Sequence, residues 1–248
     1  MKELLRETLG YRRILADARA GRQPHAALIL FPDAAHLRAL LKECAKAFFL
    51  AEEGSRTALL IEKESFPDCL FFPQAGAKLT VDDAARILEE SLLRPVEGEK
   101  KLFVLDAFHT AGALVQNKLL KVLEEPPEGV SFLLGAAQEH AVLPTVLSRT
   151  EKFREPPFAE ESVLKALLRM YPAEKGAERA AAASGGILSQ AERLLAGGGE
   201  SFRRAEEFLL GDAPEAFCRR ADKLDKDAFF AALELLLRDM LFLKTGQE

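Results

Sequence analysis

The chain has 248 residues, 48% of them hydrophobic, and a formal net charge of −5, which allows a sizeable core in one large domain or in two to three small ones. That balance offers no overall attraction to nucleic acid, and charges scattered through the opening MKELLRETLGYRRILADARAGR exclude a signal peptide and a membrane helix, so a cytoplasmic location is expected. Cys44, Cys69 and Cys218 form no C-x-x-C pair and the four histidines share no helical spacing, so neither a disulfide framework nor a metal site is expected.

In chain order, Tyr11 to Ala20 reads as a helix ending near Gly21, and Ala26 to Phe31 as a buried first strand. Leu37, Leu40, Leu41, Cys44 and Phe48 then recur at helical spacing. Residues 51 to 66 show no clear period and receive no assignment. Cys69 to Pro73 is a short strand, and Thr80, three residues before Asp83, caps a helix that Pro95 and Gly98 end. LFVL at 102 to 105 is a fully apolar strand, with Asp106 just past its end, where an acid could hold magnesium in a nucleotide site.

From near Ala111 a helix runs to Pro126 and Pro127, neither of which can donate a backbone bond. An apolar run begins at Val130, and a short helix containing Pro144 delivers Ser148 and Arg149 to its C-terminal end. A last strand covers Glu151 to Phe153 before Pro156 and Pro157. This alternation predicts an α/β fold with a parallel sheet covered by helices on both faces. Beyond residue 158 the pattern is helical, near 160–170, 174–183, 187–196, 200–210, 214–223 and 227–243, interrupted at Gly185–Gly186 and Gly197–Gly199. The basic spots at Arg12–Arg13, Lys100–Lys101 and Arg149–Arg154 read as solvated faces.

Strand, turn and helix over 26–48 is the local plan of a phosphate-binding loop. Such a loop needs G-x-x-x-x-G-K-S/T: glycines for close backbone approach, lysine for charge and a hydroxyl for magnesium. Phe31, Pro32, Asp33, Ala34, Ala35, His36, Leu37 and Arg38 contain no glycine and no lysine. Their side chains take up the space that phosphates need.

NKLLKVLEEPPEGVSFLLGAAQEHAVLPTVLSRTEKF resembles the central signature of bacterial clamp-loader subunits, the AAA+ relatives that open the sliding clamp for the replicative DNA polymerase. FPDCLFF, LTVDDAARILEESLLRPVEGEKKLFVLD and LPTVLSR follow in the family's order, so the resemblance covers about residues 10 to 200. It implies an AAA+ α/β domain over 1–157, a helical lid domain over 158–199 and the truncated start of a helical collar over 200–248, where LELLLRDMLFLKTG is similar to an early collar helix. Cys44 and Cys69 alone cannot supply the family's four-cysteine zinc module.

Within the family the chain is most similar to the delta-prime subunit. The motor subunits' acid pair reads Asp106 and then Ala107, and Gln190 stands where ATP-using relatives present an arginine, so Asp106 is expected to be vestigial and no cofactor or metal is expected. Ser148 and Arg149 match the family's S-R-C motif, with Thr150 for cysteine. By resemblance, Arg149 reaches the ATP site of a neighbouring motor subunit. The implied partners are gamma/tau-type motor subunits, the clamp-opening delta subunit and, through the complex, the sliding clamp and primed DNA. The alternative is an ATP-binding motor subunit of the gamma/tau type, and a drifted interaction module is a third reading.

Overall fold

Five apolar runs pair side by side in the computed structural model, which describes residues 1–22, 24–197, 199–210 and 225–245. They are β1 (Ala26–Leu30), β2 (Cys69–Phe72), β3 (Lys101–Leu105), β4 (Val130–Ala136) and β5 (Glu151–Arg154). All pair in parallel, in the order β2-β3-β4-β1-β5. The central strands β1 and β3 are buried at every residue, as a parallel sheet covered on both faces requires. Phe103 and Phe132, opposite each other in the β3–β4 register, stack with ring centroids 5.2 Å apart.

The helices of this unit are α1 (Lys2–Leu5), α2 (Leu9–Arg19), α3 (Leu37–Phe48), α4 (Arg56–Glu62), α5 (Val81–Ser91), α6 (Ala113–Glu124) and α7 (Pro144–Leu147). α4 falls in the stretch that the sequence pattern left open; Ser55 starts it by accepting the Ala58 N–H. Thr80 and Asp83 close the expected reciprocal capping box at the start of α5. That helix stops at Ser91, four residues before Pro95, because the proline already disfavours helical geometry at Arg94. α3 reaches β4 where Gly135 leaves room: a Cβ there would lie 2.7 Å from Leu41 Cδ1 and 3.0 Å from Leu37 Cδ1. Lys101 departs from the solvated reading. It is buried, with Nζ donating to the Glu90 carbonyl (2.8 Å) and carboxylate (3.0 Å), because β3 begins one residue earlier than LFVL.

The chain divides into two compact units, residues 2–156 and a helical unit from Pro157 onward. The second holds α8 (Glu160–Met170), α9 (Ala177–Ala183), α10 (Leu188–Ala196), α11 (Glu200–Leu210) and α12 (Lys226–Thr245). α12 packs on α9, α10 and α11 through the stripe Ala228, Phe229, Ala232 and Leu235. Gly186 adopts φ +82° beside Phe158, whose carbonyl would stand 2.3 Å from a Cβ. The helix expected at 214–223, and Cys218 with it, lie outside the described residues. No helix among the described residues is long and apolar enough to cross a membrane, and no cluster there could hold a metal ion.

Candidate functional site

An open parallel sheet places its ligand crevice beyond the strand C-termini, where successive connections leave in opposite directions. Here the chain leaves β1 toward the β2 side and leaves β4 toward β5, so the crevice lies beyond Leu30 and Ala136. The loop entering it is Phe31 to His36. Phe31 N–H donates to the Ala136 carbonyl (2.9 Å) and its ring is buried. Asp33 is also buried, and its carboxylate lies 3.0 Å from His36 Nδ1. Leu37, where a phosphate loop carries its lysine, is buried against Gly135.

Arg38, where that loop carries its hydroxyl, turns back into the first unit. Its Nε and Nη2 donate to the two oxygens of Glu64 at 2.8 and 2.6 Å, Nη1 donates to Asp106 Oδ2 at 3.0 Å, and Nη2 also reaches the Pro73 carbonyl at 3.1 Å. Lys42, one turn along α3, adds a second cation 3.1 Å from Glu64. The guanidinium beside Glu64 holds that carboxyl below its usual range despite opposing burial, with Lys42 adding to the effect. Arg38 is pushed up, chiefly by its bond to Glu64 and then by that to Asp106. Asp106 therefore faces an arginine, and its second oxygen accepts the Ala107 N–H at 2.7 Å. Ala107 takes the left-handed conformation, φ +47°, and its methyl group has no atom able to accept a proton from water.

His109 follows on the same turn. Its Nδ1 accepts the Ala137 N–H at 3.2 Å, which leaves the proton of the neutral ring on Nε2. Burial pushes its pKa down, against the pull of the Asp106 charge. The residues at 31–38 do not fit a magnesium nucleotide, which the P-loop architecture implies: glycine, lysine and hydroxyl are replaced by buried Phe31 and Leu37 and by a guanidinium already bonded to the acid.

Arg149 sits just past α7 and is half-buried. Its Nε donates to Glu124 Oε2 at 2.9 Å and Nη1 to the Thr145 carbonyl at 3.0 Å. Ser148 donates to that same carbonyl, and buried Thr150 to the Val146 carbonyl. The arginine thus leans on the end of α6. α7 is placed by Gln116 of α6, a buried amide that donates to the Ala111 and Ala141 carbonyls (2.9 and 3.0 Å) and accepts the Leu143 N–H (2.8 Å). In the helical unit, Gln190 donates to the Asp227 carbonyl at 2.8 Å and accepts from Arg193 at 2.6 Å, so its amide is fastened at the start of α12.

Sequence reasoning singled out Arg38 and Asp106 separately, and the fold joins them. It missed Glu64, Glu124, His109 and Gln116. No local pattern marks these residues, since Glu64 lies 26 positions from Arg38 and Gln116 lies 27 from Leu143.

The family model for the DNA polymerase III delta subunit matches residues 10–159. The chain belongs to this family of clamp-loader subunits. It is similar to the gamma/tau subunit of Mycobacterium tuberculosis, 29% identical in an alignment 180 residues long that covers 63% of this chain and 30% of that protein. It also resembles the tau/gamma subunit of Haemophilus influenzae, 36% identical over 93 residues, 38% of this chain and 13% of the relative. The chain therefore spans less than a third of the length of these curated relatives.

Among solved structures, a gamma subunit-related protein of DNA polymerase III from Thermotoga maritima superposes with a TM-score of 0.50 at 22% identity, covering 88% of this chain and 75% of that one. The RuvB Holliday junction branch migration motor of the same organism gives 0.51 at 16%, covering 94% and 73%. These likenesses bear on fold alone. The expected α/β architecture of AAA+ type is the one observed.

Proposed function

We propose that this chain is a noncatalytic, delta-prime-like subunit of a bacterial clamp loader. It would support ATP-dependent loading of the sliding clamp onto primed DNA and supply Arg149 to the ATP site of a neighbouring motor subunit. The observation that carries the reading is the Arg38–Asp106 pair: the acid at the end of β3 is bonded to a side chain of its own chain, at 3.0 Å. With Ala107 beside it, this position lacks the group that would orient water. Arg149 is the complementary feature. Its partner Glu124 is exposed, and an exposed ion pair is cheap to exchange, so the guanidinium is available to a stronger anion. Arginines acting in trans on a transferring phosphoryl group contribute about 10³ to 10⁵ in rate.

On this reading residues 158–199 form the lid and 200–248 belong to the collar, the partners are gamma/tau-type motor subunits and the clamp-opening delta subunit, and the protein works in the cytoplasm. Arg149→Ala in a reconstituted loader tests the role. The DNA- and clamp-stimulated ATPase is expected to fall by at least tenfold with assembly intact; an unchanged rate in an intact assembly rejects the role of Arg149.

A second reading, an ATP-binding motor subunit, is favoured by the names of the relatives, which are gamma and tau subunits. Titration of the chain with labelled ATP and magnesium separates the two. Micromolar binding selects the motor subunit, and its absence the noncatalytic one.

A further inference from the structure

The four segments that meet at Arg38 are far apart in sequence: the start of α3, the turn after α4, the end of β2 and the end of β3. One planar guanidinium holds them all, giving Nε and Nη2 to Glu64, Nη1 to Asp106 and Nη2 again to the Pro73 carbonyl. Its carbon also lies 5.7 Å from the centre of the Phe71 ring. The arginine, Glu64 and Asp106 side chains are only 16%, 23% and 14% exposed, so water screens the cluster weakly. Arg38 and Lys42 against Glu64 and Asp106 make two charges of each sign. A divalent cation placed beside Asp106 would meet the guanidinium and break this balance.

We propose that Arg38 is a built-in counter-cation, standing beside Asp106 where a magnesium ion would have to stand and fastening these four segments in one conformation without any nucleotide. The proposal rests on the noncatalytic reading. It goes beyond loss of the loop motif, because it makes the remnant a structural joint with a named cation at its centre. A lysine could not replace the arginine, since a single ammonium cannot span a bidentate carboxylate, a second carboxylate and a carbonyl in one plane.

Thermal unfolding of the full chain with and without millimolar magnesium chloride tests this, using the wild type, Arg38→Lys, Arg38→Ser and Arg38→Ser with Asp106→Asn. The wild-type midpoint is expected not to move with magnesium. Arg38→Ser should melt about 5 °C lower, because Asp106 loses its cation and Glu64 keeps only Lys42, and magnesium should restore at least half of that loss. The doubly substituted chain should lose the response to magnesium, and Arg38→Lys should fall between wild type and Arg38→Ser. A magnesium-dependent rise in the wild type, no loss in Arg38→Ser, or a loss that magnesium leaves unchanged would each overturn the proposal.

Should Arg38→Ser not fold, hydrogen exchange of the wild type decides. Protection over 33–40 and 63–74 that is unchanged by magnesium ATP supports the joint, and altered protection rejects it. Labelled-ATP binding by the wild type would reject the noncatalytic reading itself. Absence of ATP binding together with an unaffected Arg38→Ser would reject only the joint.

Discussion

Arg149 and Glu124 form an ion pair between the second residue after α7 and the last residue of α6, with Nε 2.9 Å from Oε2. Glu124 is 56% exposed, so the pair contributes little to folding and serves to hold the guanidinium in place. Glu124→Gln should therefore change unfolding free energy by less than about 0.5 kcal/mol in urea titration. A loss several times larger would show that the arginine is a structural strut rather than a group free to leave.

The position of α7 depends on Gln116. Gln116→Leu would keep the volume but strip partners from two carbonyls and one N–H, buried at Ala111 and half-buried at Ala141 and Leu143. A cost of about 2–4 kcal/mol is expected from equilibrium denaturation, at roughly 1–3 kcal/mol for each buried group left unsatisfied and partly regained by relaxation. In a reconstituted loader the same variant should lower the stimulated ATPase, if α7 is what aims Arg149.

Gly10 in α2 faces Glu155, whose carboxylate accepts the Leu9 and Gly10 N–H groups at 2.8 and 2.6 Å. A Cβ on residue 10 would lie 2.4 Å from Ile29 Cδ1 and 2.9 Å from Glu155 Oε1. Gly10→Ala should cost about 1–3 kcal/mol by overpacking, although alanine is the better helix former. Calorimetry showing a more stable variant would mean that α2 can move away from the sheet.

Two groups of the candidate site contribute to the expected response to acid. Glu64 has its pKa lowered by Arg38, so its contribution is complete above the unfolded carboxyl value of about 4.3 and is lost as pH falls through the depressed folded value. His109 is lowered by burial, so its contribution is present above about pH 6.5 and is lost as pH falls below that value. Stability measured from pH 8 downward should drop in two stages. Glu64→Gln should reduce the lower stage, which Glu53 and Glu62 share with it, and leave the upper one, and an NMR titration placing His109 at or above 6.5 would contradict the assignment of the upper stage.

The strand and helix periods, the Thr80–Asp83 cap and the alternation that requires a parallel sheet were determined by the sequence alone, because each depends on residues within a few positions of one another. So was the absence of glycine and lysine from residues 31–38. Only the tertiary structure decided the strand order, the pairing of Arg38 with Asp106 68 residues away, and the contact of Arg149 with Glu124 25 residues before it. These are meetings of strand ends and helix ends brought together by packing, and a long polar side chain carries no local mark of the partner it will reach. Arg38 read alone is one more charge on a helix, and the fold makes it the cation opposite Asp106.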